Sequence, residues 1–384
     1  MAGVYIHIPF CRQACHYCDF HFSTRTSSAQ NMVQSIVRES QLRAQSDAAW
    51  RNHNIDTLYI GGGTPSLLDE RLILDLVEGV TGALNVDVHN LKEVTMEANP
   101  EDLEEPKIEA WLKAGINRLS IGIQSFDDDT LTWMNRAHTG REAERGVQRA
   151  QRAGFSNITV DLIYGVPTDR NWTRDVDTAL SLPIQHLSAY ALTVEPRTVL
   201  GTRVAKGQQA PLSDERAVSE YLYLCDIMAK LGWNHYETSN WAAPQHDGWW
   251  TARHNASYWS GRPYLGLGPG AHGFVPPTRY ANVANNPKYL GALSESRLAF
   301  TEEQLTSVDR YNEQLMTGLR TANGIHLEVL ERQFGMRPDV LEPAAWEAAV
   351  LSGSLVPTPD GGHRIPEEQW ITGDQVAASF FQVS

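Results

Sequence analysis

The stretch Val4-Tyr5-Ile6-His7-Ile8-Pro9-Phe10-Cys11-Arg12-Gln13-Ala14-Cys15-His16-Tyr17-Cys18 joins a strand pattern to three closely spaced cysteines. In an extended chain successive side chains point to opposite faces. Val4, Ile6 and Ile8 therefore share one face, and Tyr5 and His7 the other. The same alternation recurs downstream at Thr57–Ile60, Val94–Glu97, Leu119–Gln124, Ile158–Ile163 and His186–Leu192. Amphipathic stretches separate these segments. One carries Ile73, Leu76, Val77, Val80 and Leu84 on a helical stripe, with Ser66 and Asp69 as a capping-box start. Gly115 and Gly154 read as helix-ending glycines. Strand and helix in alternation, six times over, predict an α/β fold with a parallel sheet. Parallel strands covered on both faces usually read as unbroken apolar runs; here one face is polar in all six. Polar groups are costly fillers of a closed core but suit the lining of a cavity around a large polar ligand. The expectation is a partial (β/α)6, TIM-like barrel.

The cysteines follow the first strand as Cys11-x3-Cys15-x2-Cys18, and Cys225 stands far away. Iron–sulfur cubanes are held by thiolates, and a full protein set needs four. Three close thiolates leave one iron open to another ligand. The competing reading is zinc with His16 or His21 as fourth ligand, although zinc sites usually pair two C-x2-C units. Cys225 falls on a stripe with Val218, Leu222 and Met228 and reads as a small buried hydrophobe. After the second strand comes Gly61-Gly62-Gly63-Thr64-Pro65. Its glycines allow close backbone approach to a ligand, or simply a tight strand–helix turn. Glu97, Gln124, Asp161 and Tyr190 lie on the polar faces near the C-terminal strand ends, where β/α barrels build their sites.

The chain has 384 residues and net charge −14, with 42% apolar and 20% charged residues. This is the composition of a folded globular protein. The negative balance and the lack of any Lys/Arg run argue against nucleic acid as a partner. No apolar run approaches the length of a transmembrane helix. The strand pattern begins at once, without room for a signal peptide, which points to the cytoplasm. Residues 1–212 are read as the barrel. A loop-rich passage (Pro196 to Leu212) ends it, and a connecting segment, 213–298, opens with a helix from Ser213 to Leu231. It then becomes dense in aromatics: Trp233, Tyr236, Trp241, Trp249, Trp250, Tyr258, Trp259 and Tyr264. Residues 299–384 form a mostly helical domain, with a helix at Thr306–Thr321 and a hairpin signal at Asp360-Gly361-Gly362. Helices plus a hairpin look winged-helix-like, but five Arg, no Lys and thirteen acids make DNA binding by this part implausible. Gly268-Pro269-Gly270-Ala271-His272-Gly273 fits G-x-G-x-x-G, yet Phe274-Val275-Pro276-Pro277 follows instead of a helix, so a dinucleotide reading fails on context.

Tyr5-x-His7-x-Pro9-Phe10-Cys11-x3-Cys15-x-Tyr17-Cys18, followed by Gly61-Gly62-Gly63-Thr64-Pro65, resembles the radical S-adenosylmethionine (SAM) superfamily. More narrowly it resembles the HemN/HemW branch, which holds oxygen-independent coproporphyrinogen III dehydrogenase and its haem-chaperone relative. Tyr311-Asn312-Glu313 and Gly318-Leu319-Arg320 extend the likeness into the last domain. The resemblance implies a [4Fe–4S] cluster on Cys11, Cys15 and Cys18 whose open iron chelates SAM. It implies SAM contacts from Tyr5, Gly62, Gly63, Thr64, Glu97, Gln124, Arg136 and Asp161. Two features favour the chaperone side of the branch. Phe20 stands where the dehydrogenase pattern has a further cysteine, and His254-Asn255-Ala256-Ser257-Tyr258-Trp259 matches the chaperone motif His-Asn-x-x-Tyr-Trp. The implied function is to bind haem and deliver it to acceptor haemoproteins, respiratory ones among them. His254 would be the axial haem ligand, Arg253 and Arg262 would meet the propionates, and the aromatics would cover the ring. The alternative is the porphyrin-decarboxylating dehydrogenase, so whether the chain is an enzyme stays open, as does a homodimeric state.

Overall fold

The computed structural model describes residues 2–46, 50 and 54–383. Its centre is six parallel strands, β1 (Ala2–Ile8), β2 (Ile55–Gly62), β3 (Glu93–Ala98), β4 (Arg118–Gln124), β5 (Ile158–Tyr164) and β6 (His186–Ala191). Every one follows the alternating pattern in the sequence. Val4, Ile6, Leu58, Ile60, Val94, Met96, Leu119 and Ile121 are buried in one continuous apolar core with the surrounding helices. Helices Ala29–Ser46 and Glu70–Ala83 lie against each other there, so closely that a Cβ on Gly79 would stand 2.5 Å from Val37. Helix Gly140–Ala153 is held at its start by a capping box between Thr139 and Glu142 and ends at Gly154, whose φ of 121° suits glycine.

The sheet does not stop at six strands. Its order, with β7 (Asn234–Glu237), β8 (Asn240–Ala242), β11 (Tyr264–Leu267), β12 (His272–Val275), β13 (Thr278–Asn282) and β14 (Phe300–Gln304), is β14-β13-β12-β11-β1-β2-β3-β4-β5-β6-β8-β7. A separate two-stranded hairpin holds β9 (Pro244–Gln245) and β10 (Gly248–Trp249). Among the described strands none pairs β1 with β6, so the barrel is open. The polar faces of its six strands look into the opening.

Several expectations change. Strands from 234 to 304 complete the barrel's sheet, so the divisions at 212/213 and 298/299 both cut through one structural unit. The separate C-terminal core is built on Tyr311, Leu315, Ile325, Trp370 and Phe380. It combines helices with a small wing, Val356–Pro357 against His363–Arg364, at the expected glycine turn. The loop-rich approach contains a helix, Val199–Ala205, capped by Thr198. Ser66 is not a helix cap: its hydroxyl donates to Asp102 Oδ2 at 2.9 Å, and Asp69 takes the cap position of Glu70–Ala83. In helix Asp214–Lys230 Leu222 is exposed, and Tyr221, Leu224 and Met228 form the buried stripe instead. Tyr221 donates to the Glu367 carbonyl at 2.6 Å, and the stacked pair His235–Trp241 meets Trp370 edge-on. These contacts seat the C-terminal core on the barrel.

Candidate functional site

The cysteine loop leaves β1 and is fixed from outside. The His16 amide donates to the Met134 carbonyl at 3.1 Å, and Asn135 Nδ2 donates to the Ala14 carbonyl at 2.8 Å. Cys11, Cys15 and Cys18 border one cavity of about 540 Å³. Burial pushes the Cys11 thiol up to about 12 and the Cys18 thiol up to about 11, with the neighbouring thiols adding to it. Three thiolates so placed demand compensating positive charge, which an iron cluster supplies. The two histidines that could complete a zinc site are each held at one ring nitrogen. His16 Nδ1 meets the Trp133 carbonyl at 2.8 Å and His21 Nε2 meets Asn286 at 2.8 Å. Among the described residues no three His, Cys, Asp or Glu side chains close on a point as a single ion requires. Cys225 lies on helix Asp214–Lys230, its sulfur 4.0 Å from His235 Nδ1, and has no part in this cavity.

The glycine turn lies against the cysteine loop. The Gly63 amide donates to the Ile8 carbonyl at 2.9 Å and the Thr64 amide to that of Phe10 at 2.6 Å. A Cβ on Gly63 would lie 2.5 Å from the Phe10 oxygen, and Gly62, at φ 109°, faces the His7 ring. The turn is thus both a tight corner and one wall of the cavity.

Glu97, Gln124, Arg136 and Asp161 converge on the same cavity from β3, β4, the turn after helix Asp128–Trp133, and β5. Glu97 accepts from the Gly62 amide at 3.0 Å and from Tyr59 at 2.8 Å. Burial, opposed by those bonds and reinforced by Asp161, pushes its carboxyl up to about 7. Burial likewise raises Asp161 to about 6. Two carboxylates held this far from water favour a cation or a run of hydroxyls. Gln124 closes β4 at φ 73°, where the ladder to β5 shifts register. A side chain rarely accepts that conformation, and such strain gathers at binding sites. The Arg136 guanidinium donates to the Gly122 carbonyl at 2.6 Å, to Asn99 at 2.9 Å and to Cys15 Sγ at 3.5 Å. Its Nε is buried without a partner. It is suited to a carboxylate. Asn99 escaped the sequence reading because it lies one residue beyond the β3 pattern.

Tyr5 does not join this group. It faces a second cavity of about 780 Å³ between the barrel mouth and the C-terminal helices. Gly62, Glu97 and Phe20 border both cavities.

His254 lies at the barrel floor, fully buried. Its Nδ1 meets Thr57 at 2.8 Å and its Nε2 meets Tyr258 at 2.8 Å. The Glu93 carboxylate accepts from the amides of Arg253 at 2.7 Å and His254 at 2.9 Å, capping helix Arg253–Trp259. In this arrangement both ring nitrogens of His254 are hydrogen-bonded. The aromatics do not gather into one haem clamp. Trp241 is buried against His235, Tyr236 meets His186, and Trp249 belongs to the exposed hairpin. Only Tyr258 and Tyr264 of that set border the larger cavity. Arg262 borders it too, whereas Arg253 does not.

Residues 5–178 match the family model of the Radical SAM superfamily. The chain is 35% identical over 336 residues to "Heme chaperone HemW" of Lactococcus lactis, covering 86% of this chain and 85% of that one. It is 31% identical to the protein of the same name from Bacillus subtilis, over 99% of both chains. The Escherichia coli protein of that name is 31% identical, over 93% and 92%. Among solved structures, coproporphyrinogen III oxidase (HemN) of Escherichia coli, a radical SAM enzyme, superposes with a TM-score of 0.83 at 18% identity, over 99% of this chain and 90% of that one. At that identity the likeness is one of fold.

Proposed function

This chain belongs to the HemW haem-chaperone family of the radical SAM superfamily, and on that premise we propose that it binds haem and delivers it to acceptor haemoproteins. The observation that carries this is the extent of the match, 99% of both chains with the Bacillus subtilis relative. That span includes the barrel, the completing strands and the C-terminal core.

Cys11, Cys15 and Cys18 are the residues that would hold a [4Fe–4S] cluster, which when bound supplies an electron and an open iron site to SAM. The chain's own residues then position SAM. Arg136, with a spare buried N–H, suits its carboxylate. Glu97 and Asp161 suit its ammonium and ribose hydroxyls, Gly62, Gly63 and Thr64 offer backbone on one side, and Gln124 offers its amide on the other. Tyr5 acts from the adjoining cavity through the shared wall. A cluster on three free thiols needs a reducing compartment, which supports a cytoplasmic setting.

The test is anaerobic. Purified protein with a reconstituted cluster is titrated with ferric haem and then mixed with an apo-haemoprotein. A saturable Soret change followed by transfer of the haem is expected. In parallel the protein is given coproporphyrinogen III and SAM, and formation of protoporphyrinogen would replace the chaperone reading with the dehydrogenase one.

A further inference from the structure

A buried histidine and a buried acid stand behind the cysteine-bordered cavity with no role yet assigned. His138, just before helix Gly140–Ala153, has its side chain fully out of water. Glu101, in the short turn Pro100–Asp102 after β3, has only 14% of its side chain exposed. Such a pair costs desolvation and by itself adds little stability. We infer that Glu101 and His138 form a positioning pair that, through Asn99, sets the Arg136 guanidinium for the carboxylate of SAM. The inference rests on the SAM-binding reading of this cavity and goes beyond it by naming what aims the arginine.

Each link is fixed by what its atoms can donate or accept. Arg136 is donor-only, so the Asn99 atom it meets at 2.9 Å is the amide oxygen. The Asn99 amide nitrogen then faces Glu101 Oε1, to which it donates at 3.2 Å. An ionised carboxylate only accepts, so it admits this orientation of the amide and refuses the flipped one. Glu101 Oε2 lies 3.3 Å from His138 Nδ1, and neither atom has another partner among the described residues. His138 Nε2 donates to the Ile123 carbonyl at 3.2 Å. Without a further proton, Nδ1 and the carboxylate would meet lone pair to lone pair; a proton held between them makes the contact attractive. Burial would raise the Glu101 carboxyl, yet the bond to His138 and the charge of Arg136 hold it below its ordinary range.

The turn that carries Glu101 is itself pinned. The Asn99 amide donates to Ser66 Oγ at 3.1 Å, and Ser66 donates in turn to Asp102 Oδ2 at 2.9 Å. Asp102 also accepts from Arg12 at 2.8 Å. Asn99 and Glu101 therefore cannot swing away together. On its other side Arg136 donates to the Gly122 carbonyl at 2.6 Å and to the Cys15 sulfur at 3.5 Å. Both terminal nitrogens are thus engaged, and Nε is the buried nitrogen left without a partner. A guanidinium free to rotate would turn that donor away from the ligand, whereas a fixed plane keeps it presented.

The full-length protein with a reconstituted cluster is titrated with SAM in equilibrium dialysis, and the reduced cluster is followed by electron paramagnetic resonance. Glu101→Ala and His138→Ala should each weaken SAM binding about fivefold and alter the spectrum that SAM induces. Iron content and circular dichroism should stay as in the parent. Glu101→Gln should restore the parent's affinity, since its amide oxygen accepts from Asn99 and its NH2 group donates to His138 Nδ1. Decarboxylated SAM, which lacks the group that Arg136 receives, should bind the alanine variants as it binds the parent. Equal losses for SAM and decarboxylated SAM, or no rescue by glutamine, overturn the positioning role. So does parent-like affinity in both alanine variants while Arg136→Ala loses SAM. Failure of the parent to bind SAM, or parent-like binding by Arg136→Ala, overturns the SAM-binding reading of the cavity instead.

Discussion

A methyl group on Gly63 has nowhere to go. Its carbon would stand 2.5 Å from the Phe10 carbonyl oxygen, where the cysteine loop begins, and 2.9 Å from that of Ile8 at the end of β1. Gly63→Ala should therefore push that loop outward, cost about 1–3 kcal/mol of stability, and lower the iron retained after reconstitution, read by thermal unfolding and iron counting. The thiols separate as sharply. Cys15→Ala should lose the cluster; Cys225→Ala, ten residues before His235 and in another part of the fold, should keep it in full. At Arg136 the buried, unpaired Nε and the bonds to Gly122 and Asn99 describe a guanidinium held ready for an acid. Arg136→Ala should weaken SAM binding by about tenfold to a hundredfold, the worth of a charged hydrogen bond, in equilibrium dialysis. The polar residues of the strands declared themselves in the sequence because each breaks an apolar alternation.

Helix Arg253–Trp259 depends on a residue far from it in the chain. Glu93, at the foot of β3 and 2% exposed, accepts both leading amides of the helix. Glu93→Ala should leave the buried His254 amide and the half-buried Arg253 amide without partners and cost about 1–3 kcal/mol, seen as a lower denaturation midpoint. His254 follows from the same arrangement: its two bonds tie the helix to β2 through Thr57 and to Tyr258, so His254→Ala should also lower stability. At this scale the six long strands and the major helices were readable, because four or more alternating residues beside two helical turns make a change of period. Strands β7, β8 and β11 to β14 were not. They have three to five residues each, and most follow one another directly, with no helical period between them to set them off. Tyr258 and Trp259, read as a haem cover, mark the helix that closes the barrel floor.

The molecule keeps several acids out of water, and three of them are raised far. Burial raises Glu97 to about 7, Asp161 to about 6 and Glu237 to about 7, all above their ordinary values of 4.5, 3.8 and 4.5. The folded chain thus binds these protons more tightly than the unfolded chain. Their cost to stability is fully present above pH 7 and is relieved as pH falls from there toward the unfolded values. The buried rings of His7 and His254, lowered to about 4 and about 3, act in the opposite sense below pH 6.5. The acid is therefore read by difference in melting temperature between about pH 8 and pH 5.5, where Glu97→Gln should flatten the acid-linked part of the slope. Saturating SAM should flatten it too if its ammonium pairs with the ionised carboxylates. Sequence pattern foretold that Glu97 and Asp161 face a common space, but their protonation follows from how completely the strands and loops around that cavity bury them.

Glu97 and Gly62 form a single partition between the two cavities. A ligand on one side that takes the Glu97 carboxylate or the Gly62 amide alters the partition seen from the other. The two compartments are then thermodynamically linked, and linkage is reciprocal. Whatever factor saturating SAM imposes on the affinity for a ligand of the second cavity, that ligand at saturation must impose on the affinity for SAM. The nucleotide would in that case act on this chaperone as a gauge of loading, felt through a hydrogen bond of 3.0 Å between a glycine and a glutamate.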